Sequence, residues 1–350
     1  MIEAIGLVKK YGDHIAVDHL NFTVEKGQIL GFLGPNGAGK STTMNMLTGY
    51  ISATEGTILV NGYDMLEEPE LAKRSIGYLP EQPPVYPDMT VTEYLRFVTE
   101  LKKVPRGARG EEVERVIEKT GLGEMRGRLI KHLSKGYRQR VGIAQDLVGN
   151  PEVIILDEPT VGLDPKQIIE IRELMKDLAK EHTVLLSSHI MQEISAVCDH
   201  IMIIRRGKLV LSGTPEELQL QADQGETLEL EACGSKEQVM AVLDRIKGIC
   251  EVSEAAAEQD DCYAVHIKST EEIRKDIFFA MAEAKLPILK LVRHTKTLED
   301  IFLEATADTP EEEETEEAAA DSMTSEEKEN ANPEAAPGEE EIEEKEVSGE

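Results

Sequence analysis

Gly34-Pro35-Asn36-Gly37-Ala38-Gly39-Lys40-Ser41 is the stretch that decides the fold. It matches G-x-x-x-x-G-K-[ST], a loop whose residue types follow from phosphate chemistry. Glycines let consecutive backbone N–H groups turn inward and approach phosphate oxygens closely. Lys40 adds a point charge for the β- and γ-phosphates, and the Ser41 hydroxyl is a ligand for Mg²⁺. Upstream, GQILGFLG (27–34) reads as a buried strand. Downstream, a helix from Ser41 to Tyr50, with Thr42 in its first turn, aims its positive dipole end at the loop. The strand–loop–helix context turns a short pattern into a nucleotide site that takes in Gly34, Asn36, Gly37, Gly39, Lys40, Ser41 and Thr42.

A second motif supplies the other half of such a site. Val153-Ile154-Ile155-Leu156-Asp157-Glu158 is an apolar strand ending in two acids. Alone, it reads equally well as a strand end with solvated carboxylates. Beside a phosphate loop, Asp157 becomes the acid of the Mg²⁺ shell. Glu158 becomes the general base that polarises the attacking water. TVLLSS (183–188) is a further apolar strand. Burial on both faces marks a parallel sheet covered by helices. IMIIRRGKLVLSG (201–213) reads instead as a hairpin turning at Arg205–Lys208. The first region is therefore α/β with added antiparallel strands.

At this point the chain resembles the ATP-binding subunits of bacterial ABC transporters. Leu133-Ser134-Lys135-Gly136-Tyr137, followed by Arg138-Gln139-Arg140, is similar to that family's signature, usually LSGGQ. Lys135 and Tyr137 depart from it, whereas Ser134 and Gly136 are kept. The resemblance covers residues 1 to about 215. It implies a P-loop fold of the ABC type, with a mixed sheet and a helical subdomain. ATP and Mg²⁺ follow as cofactors. It also implies a dimer in which ATP lies between the phosphate loop of one subunit and Ser134 and Gly136 of the other. By the same resemblance, Tyr11 stacks on adenine and His189 contacts the γ-phosphate. Asp164, in Val161-Gly162-Leu163-Asp164, is a contact between subunits. Glu81 and Gln82 share the metal-sensing position after the strand IGYLP, and the residues alone do not separate them. The segment 83–97 lies near the groove that receives a permease. The partners so implied are a separate transmembrane permease and a second copy of this chain or a related ATPase subunit.

Residues 219–307 change pattern. Strand, helix, strand, strand, helix and strand follow in order, the split arrangement of a small ferredoxin-like α+β domain. TLEDIFLEAT (297–306) is expected to close it with a short helix, and LEDIFLEAT resembles the accessory domain that follows many bacterial ABC ATPases. Residues 308–350 are Glu, Ala, Pro and Ser with almost no large apolar side chain, the composition of a disordered acidic tail. The expected divisions are thus 1–218, 219–307 and 308–350.

Charge follows these divisions. The chain carries −30 in 350 residues. Residues 1–219 hold 31 acids and 26 bases, 220–307 hold 18 and 10, and 308–350 hold 19 and 2. The tail accounts for most of the excess. An acidic balance opposes a nucleic-acid partner, because phosphate neutralisation needs clustered Lys and Arg. No apolar run approaches the roughly 20 residues of a membrane span. The start has no apolar stretch of the signal-peptide kind. Cys198, Cys233, Cys250 and Cys262 show no Cys-x-x-Cys spacing, which argues against a zinc site or redox pair and fits a reducing compartment.

The resulting expectation is an ATPase that drives a separate permease, for export, at the inner face of the cell membrane. The alternative is a soluble ABC ATPase acting on a ribosome or nucleic-acid complex. Against it, the chain has one nucleotide domain, and Lys40 and Asp157 lie too close in sequence for the insertions of DNA-repair relatives. Asp157, Glu158 and His189 are all present, which opposes a non-hydrolysing paralogue.

Overall fold

The computed structural model describes residues 1–222, 226–257, 259, 261–294 and 297–307. The acidic tail lies outside the described residues. Strand Ile29–Leu33 is buried at every position, as are Val153–Asp157 and Thr183–Ser188. A strand apolar on both faces has to sit inside a sheet that is covered on both sides. These three lie at the centre of a six-stranded sheet. Its order is Lys208–Gly213, His200–Arg205, Ile29–Leu33, Thr183–Ser188, Val153–Asp157, Ile76–Leu79. All neighbours are parallel except the edge hairpin formed by the first two, which turns at Arg206-Gly207.

A second sheet, antiparallel throughout, orders as His14–Val24, Ile2–Tyr11, Glu55–Val60, Tyr63–Asp64. Phe32, Leu30 and Met44 join its inward face in one core. The opposite face of the central sheet packs on helices Val91–Leu101, Arg109–Lys119, Lys135–Leu147 and Pro165–Ala179. Thr90 opens the first of these with a reciprocal cap to Glu93. The mixed sheet and helical subdomain expected from the sequence are both present.

The third sheet orders as Ile249–Ala255, Cys262–Ser269, Glu226–Cys233, Ile288–His294, all antiparallel. Helices Lys236–Leu243 and Arg274–Glu283 cover one face. Numbered along the chain this is strand order 2-3-1-4, the ferredoxin-like arrangement. The last helix departs from expectation. Leu298–Thr306 contacts helices Pro215–Ala222 and Met191–Ser195 and strand His200–Arg205. Leu298, Phe302 and Ala305 pack on the core that holds Ile201, Ile203 and Leu218. The chain thus returns to its first region, where the apolar side of the helix is covered.

Candidate active site

The phosphate loop leaves strand Ile29–Leu33 and enters helix Lys40–Leu47. Its glycines have separate tasks. A Cβ on Gly34 would strike the carbonyl of Ile204, and one on Gly39 would lie 2.5 Å from the carbonyl of Ala16. Both positions therefore serve close packing of the loop on the neighbouring backbone. Gly37, at φ 80°, would point a Cβ into open space. There the constraint is conformation, since L side chains avoid this region. Gly207 N–H donates to the Ala38 carbonyl at 3.0 Å, so the edge hairpin also fixes the loop.

Lys40 and Glu158 are only 6% and 8% exposed and approach to 3.5 Å. Lys40 Nζ also donates to the carbonyl of Gly34 at 2.7 Å and of Pro35 at 3.2 Å. A buried ammonium needs this much compensation. Ser41 Oγ lies 3.4 Å from Asp157 Oδ1. Those two oxygens are hard donors on one side of the cleft, which is the chemistry Mg²⁺ binds. The residues present therefore fit the metal and a triphosphate.

Parallel pairing of Val153–Asp157 with Thr183–Ser188 sets Asp157 opposite Ser187. Ser187 Oγ donates to Asp157 Oδ1 and accepts from Glu158 N–H at 3.0 Å. One hydroxyl thus orients both acids. Glu158 has φ 50°, a left-handed conformation that a side chain adopts only under constraint. His189 Nδ1 lies 2.9 Å from Glu158 Oε2. Nearby, Glu193 is buried and accepts from Thr160 Oγ1 and, at 3.1 Å, from Ser188 Oγ. Sequence reasoning missed Ser187 and Glu193. Only the register of two strands reveals the first, and only the turn into helix Met191–Ser195 the second.

A cleft of about 610 Å³ gathers Tyr11, Asn36, Gly37, Gly39, Lys40, Ser41, Thr42, Glu81, Glu158 and His189. Tyr11 is half-exposed, with Lys9 Nζ 5.1 Å from its ring centroid. His14, Ala16 and Val161 complete the wall and were not foreseen. Glu81 lines the cleft and Gln82 does not.

Ser134, Gly136 and Asp164 do not line this cleft and form a second cluster. Ser134 caps helix Lys135–Leu147 and accepts from Tyr137 N–H at 3.4 Å. Asp164 caps helix Pro165–Ala179 and accepts from Gln167 N–H at 2.9 Å. A Cβ on Gly136 would come within 2.7 Å of the Gln167 side chain. Glycine therefore lets the signature helix start flush against the Asp164 loop. Lys135 runs along Gly162 of the same loop.

A glycine loop on a central parallel strand, with a paired acid on the next strand but one, defines a P-loop nucleotide-binding protein. Comparison with known proteins narrows the class. The family described as "ABC transporter" matches residues 17–161. The probable multidrug ABC transporter ATP-binding protein YbhF of Escherichia coli (strain K12) is 39% identical over 223 residues, 63% of this chain and 38% of that protein. The chain thus spans well under half the length of YbhF. The bacitracin transport ATP-binding protein BcrA of Bacillus licheniformis is 34% identical over 305 residues, 87% of this chain and 96% of that one. Among solved structures, the ATP-binding cassette MJ0796, a dimer in a post-hydrolysis state bound to ADP and Pi, aligns with a TM-score of 0.56 and 25% identity. That alignment covers 61% of this chain and 98% of that one. The chain belongs to the family of ABC transporter ATP-binding proteins.

Proposed function

We propose that this chain binds and hydrolyses ATP and powers a separate membrane permease, for export, by ATP-driven closure of a dimer. The observation that carries the reading is the Glu158 carboxylate. It stands at the end of a central strand, 2.9 Å from His189 Nδ1 and 3.5 Å from Lys40, with its backbone held by Ser187. A carboxylate held so, at the mouth of a phosphate loop, is placed to take a proton from water attacking the γ-phosphate.

The roles of the other residues follow. Lys40 exchanges its carbonyl and Glu158 partners for phosphate oxygens. Tyr11 offers a ring to the base, and Asn36, Gly37, Gly39 and Thr42 offer backbone and hydroxyl groups around the phosphates. Ser41 and Asp157 would hold Mg²⁺, with Glu81 facing the same cleft. When bound, the metal would neutralise phosphate charge. Ser134, Gly136 and Asp164 are not among the residues that line the cleft. Their absence from the lining supports a site completed by a second copy or a related subunit. Closure then depends on ATP binding the closed state better than the open one. Cleavage removes the contacts that favour closure.

Export is supported by relatives named for multidrug and bacitracin transport. Among the described residues no helix is long and apolar enough to cross a membrane. In this reading the membrane path belongs to a partner, and this chain works at the inner membrane face. The curated relatives are transporter subunits, and nothing among them favours the ribosome or nucleic-acid alternative.

Glu158→Gln tests the reading. ATP affinity should stay within about threefold, while turnover falls by about 10²–10⁴-fold. With ATP the variant should elute as a dimer from a sizing column. Lys40→Ala, by contrast, should lose ATP binding itself. A Glu158→Gln protein that hydrolyses ATP normally would remove Glu158 from its role.

A further inference from the structure

Cys233 and Cys262 lie 29 residues apart in sequence and directly opposite each other in the small sheet. Cys233 ends strand Glu226–Cys233, and Cys262 begins strand Cys262–Ser269. Their sulfurs are 3.1 Å apart, and both are free thiols of intermediate exposure. The backbone explains the closeness. Cys233 N–H donates to Pro287 on the far side at 2.8 Å, and Cys262 N–H donates to Gln259 at 3.1 Å. Neither amide points at the facing residue, so this is a non-hydrogen-bonded antiparallel pair. Such pairs bring Cα atoms to about 4.5 Å and side chains closest together. A disulfide spans Cα separations of roughly 4.4–6.8 Å. Closing the bond therefore requires the sulfurs to approach, with no change of register. The spacing argument made from the sequence considers only neighbours along the chain, whereas the sheet supplies a proximity that sequence distance hides.

We propose that Cys233 and Cys262 are a reversible disulfide site, reduced at rest and closed by low-molecular-weight disulfides such as oxidised glutathione. The Cys233 sulfur attacks one sulfur of the small disulfide and expels its other half as a thiolate. Cys262 then attacks the Cys233 sulfur of the mixed disulfide and expels the second thiolate. Two protein thiols are oxidised, one small disulfide is reduced to two thiols, and the two protons pass to the leaving thiolates. The hydrogen bond with Cys233 pushes the Cys262 thiol up to about 11. The product ties the two central strands of the small sheet together and encloses helix Lys236–Leu243 and strand Ile249–Ala255. The other two cysteines differ. Cys198 is buried, with its thiol pushed far up by burial, and Cys250 is exposed with no cysteine facing it.

The test uses the full chain carrying Cys250→Ser, equilibrated in oxidised glutathione, alkylated and digested with trypsin. The expected product is one internal link between the peptide ending at Lys236 and the peptide Gly248–Lys268. It should form in monomeric and dimeric protein alike and be reversed by dithiothreitol. Adding Cys262→Ser should replace the link with a glutathione adduct on Cys233. The linked protein should melt a few degrees higher than the reduced protein, since a cross-link constrains the unfolded chain. Separate glutathione adducts on both cysteines, or free thiols on both, would overturn the proposal.

Discussion

Asp146 is the residue whose charge fits its surroundings least. It is buried in helix Lys135–Leu147, its Oδ2 has no partner, and Oδ1 accepts only from Gln145 Nε2 at 3.2 Å. Burial raises its carboxyl to about 7, with Lys102 and Gln145 opposing. The sign of the effect on stability is fixed by this direction. Below about pH 4 both folded and unfolded chains hold the proton. Between 4 and 7 only the folded chain does, so stability falls as pH rises through this window. Asp146→Asn keeps the shape and removes the titration. Relative to the parent, it should gain stability from pH 5 to pH 8, by about 1–3 kcal/mol. Urea unfolding at three pH values measures this, and a pH-independent difference would acquit Asp146. Glu158 is the contrasting buried acid, and its burial is matched by Lys40 and His189.

At the scale of elements, the signature helix is seated by a missing side chain. A Cβ on Gly142 would collide with Leu79 and lie 3.1 Å from Cβ of Pro83. The helix therefore lies flush on the end of strand Ile76–Leu79 and on the segment carrying Glu81. Gly142→Val should push these apart. The expected loss is about 1–3 kcal/mol of stability from overpacking. ATPase turnover should fall further than ATP affinity, because the phosphate loop is untouched. Equal turnover in variant and parent would show that this contact does not place Glu81. Elements of this kind were legible in the sequence where a local pattern decides them. Apolar runs 29–33, 153–157 and 183–188 became buried strands. Helix ends were less legible. The sequence pattern predicts helices over 235–247 and 270–285, and the structure has Lys236–Leu243 and Arg274–Glu283. Fraying depends on neighbours more than on propensity.

For the whole molecule, the last helix joins the two ends of the described chain. Leu298, Phe302 and Ala305 close a core that also holds Leu218 and Ile201. A chain ending at residue 296 should lose several degrees of melting temperature and inactivate faster on warming. A chain ending at 307 should keep both stability and ATPase activity, since it removes only the acidic tail. Activity lost on the second truncation would assign the tail a part in hydrolysis. The charge of −30 matters here in its distribution. The nucleotide-binding region is close to neutral, and its one buried ammonium in the cleft is balanced within the site by Glu158.

The sequence by itself determined the phosphate loop, the acidic strand end, the signature and the order of elements in the small sheet. Each is set by residues near one another in the chain, where glycine freedom, apolar period and capping act. Tertiary structure alone decided that Ser187 holds Asp157 and Glu158, that Glu81 rather than Gln82 faces the cleft, and that the last helix packs on the first region. It alone set Cys233 against Cys262. These contacts depend on which strands become neighbours, and the paired strands here lie far apart in the chain, so no single local stretch of sequence shows them.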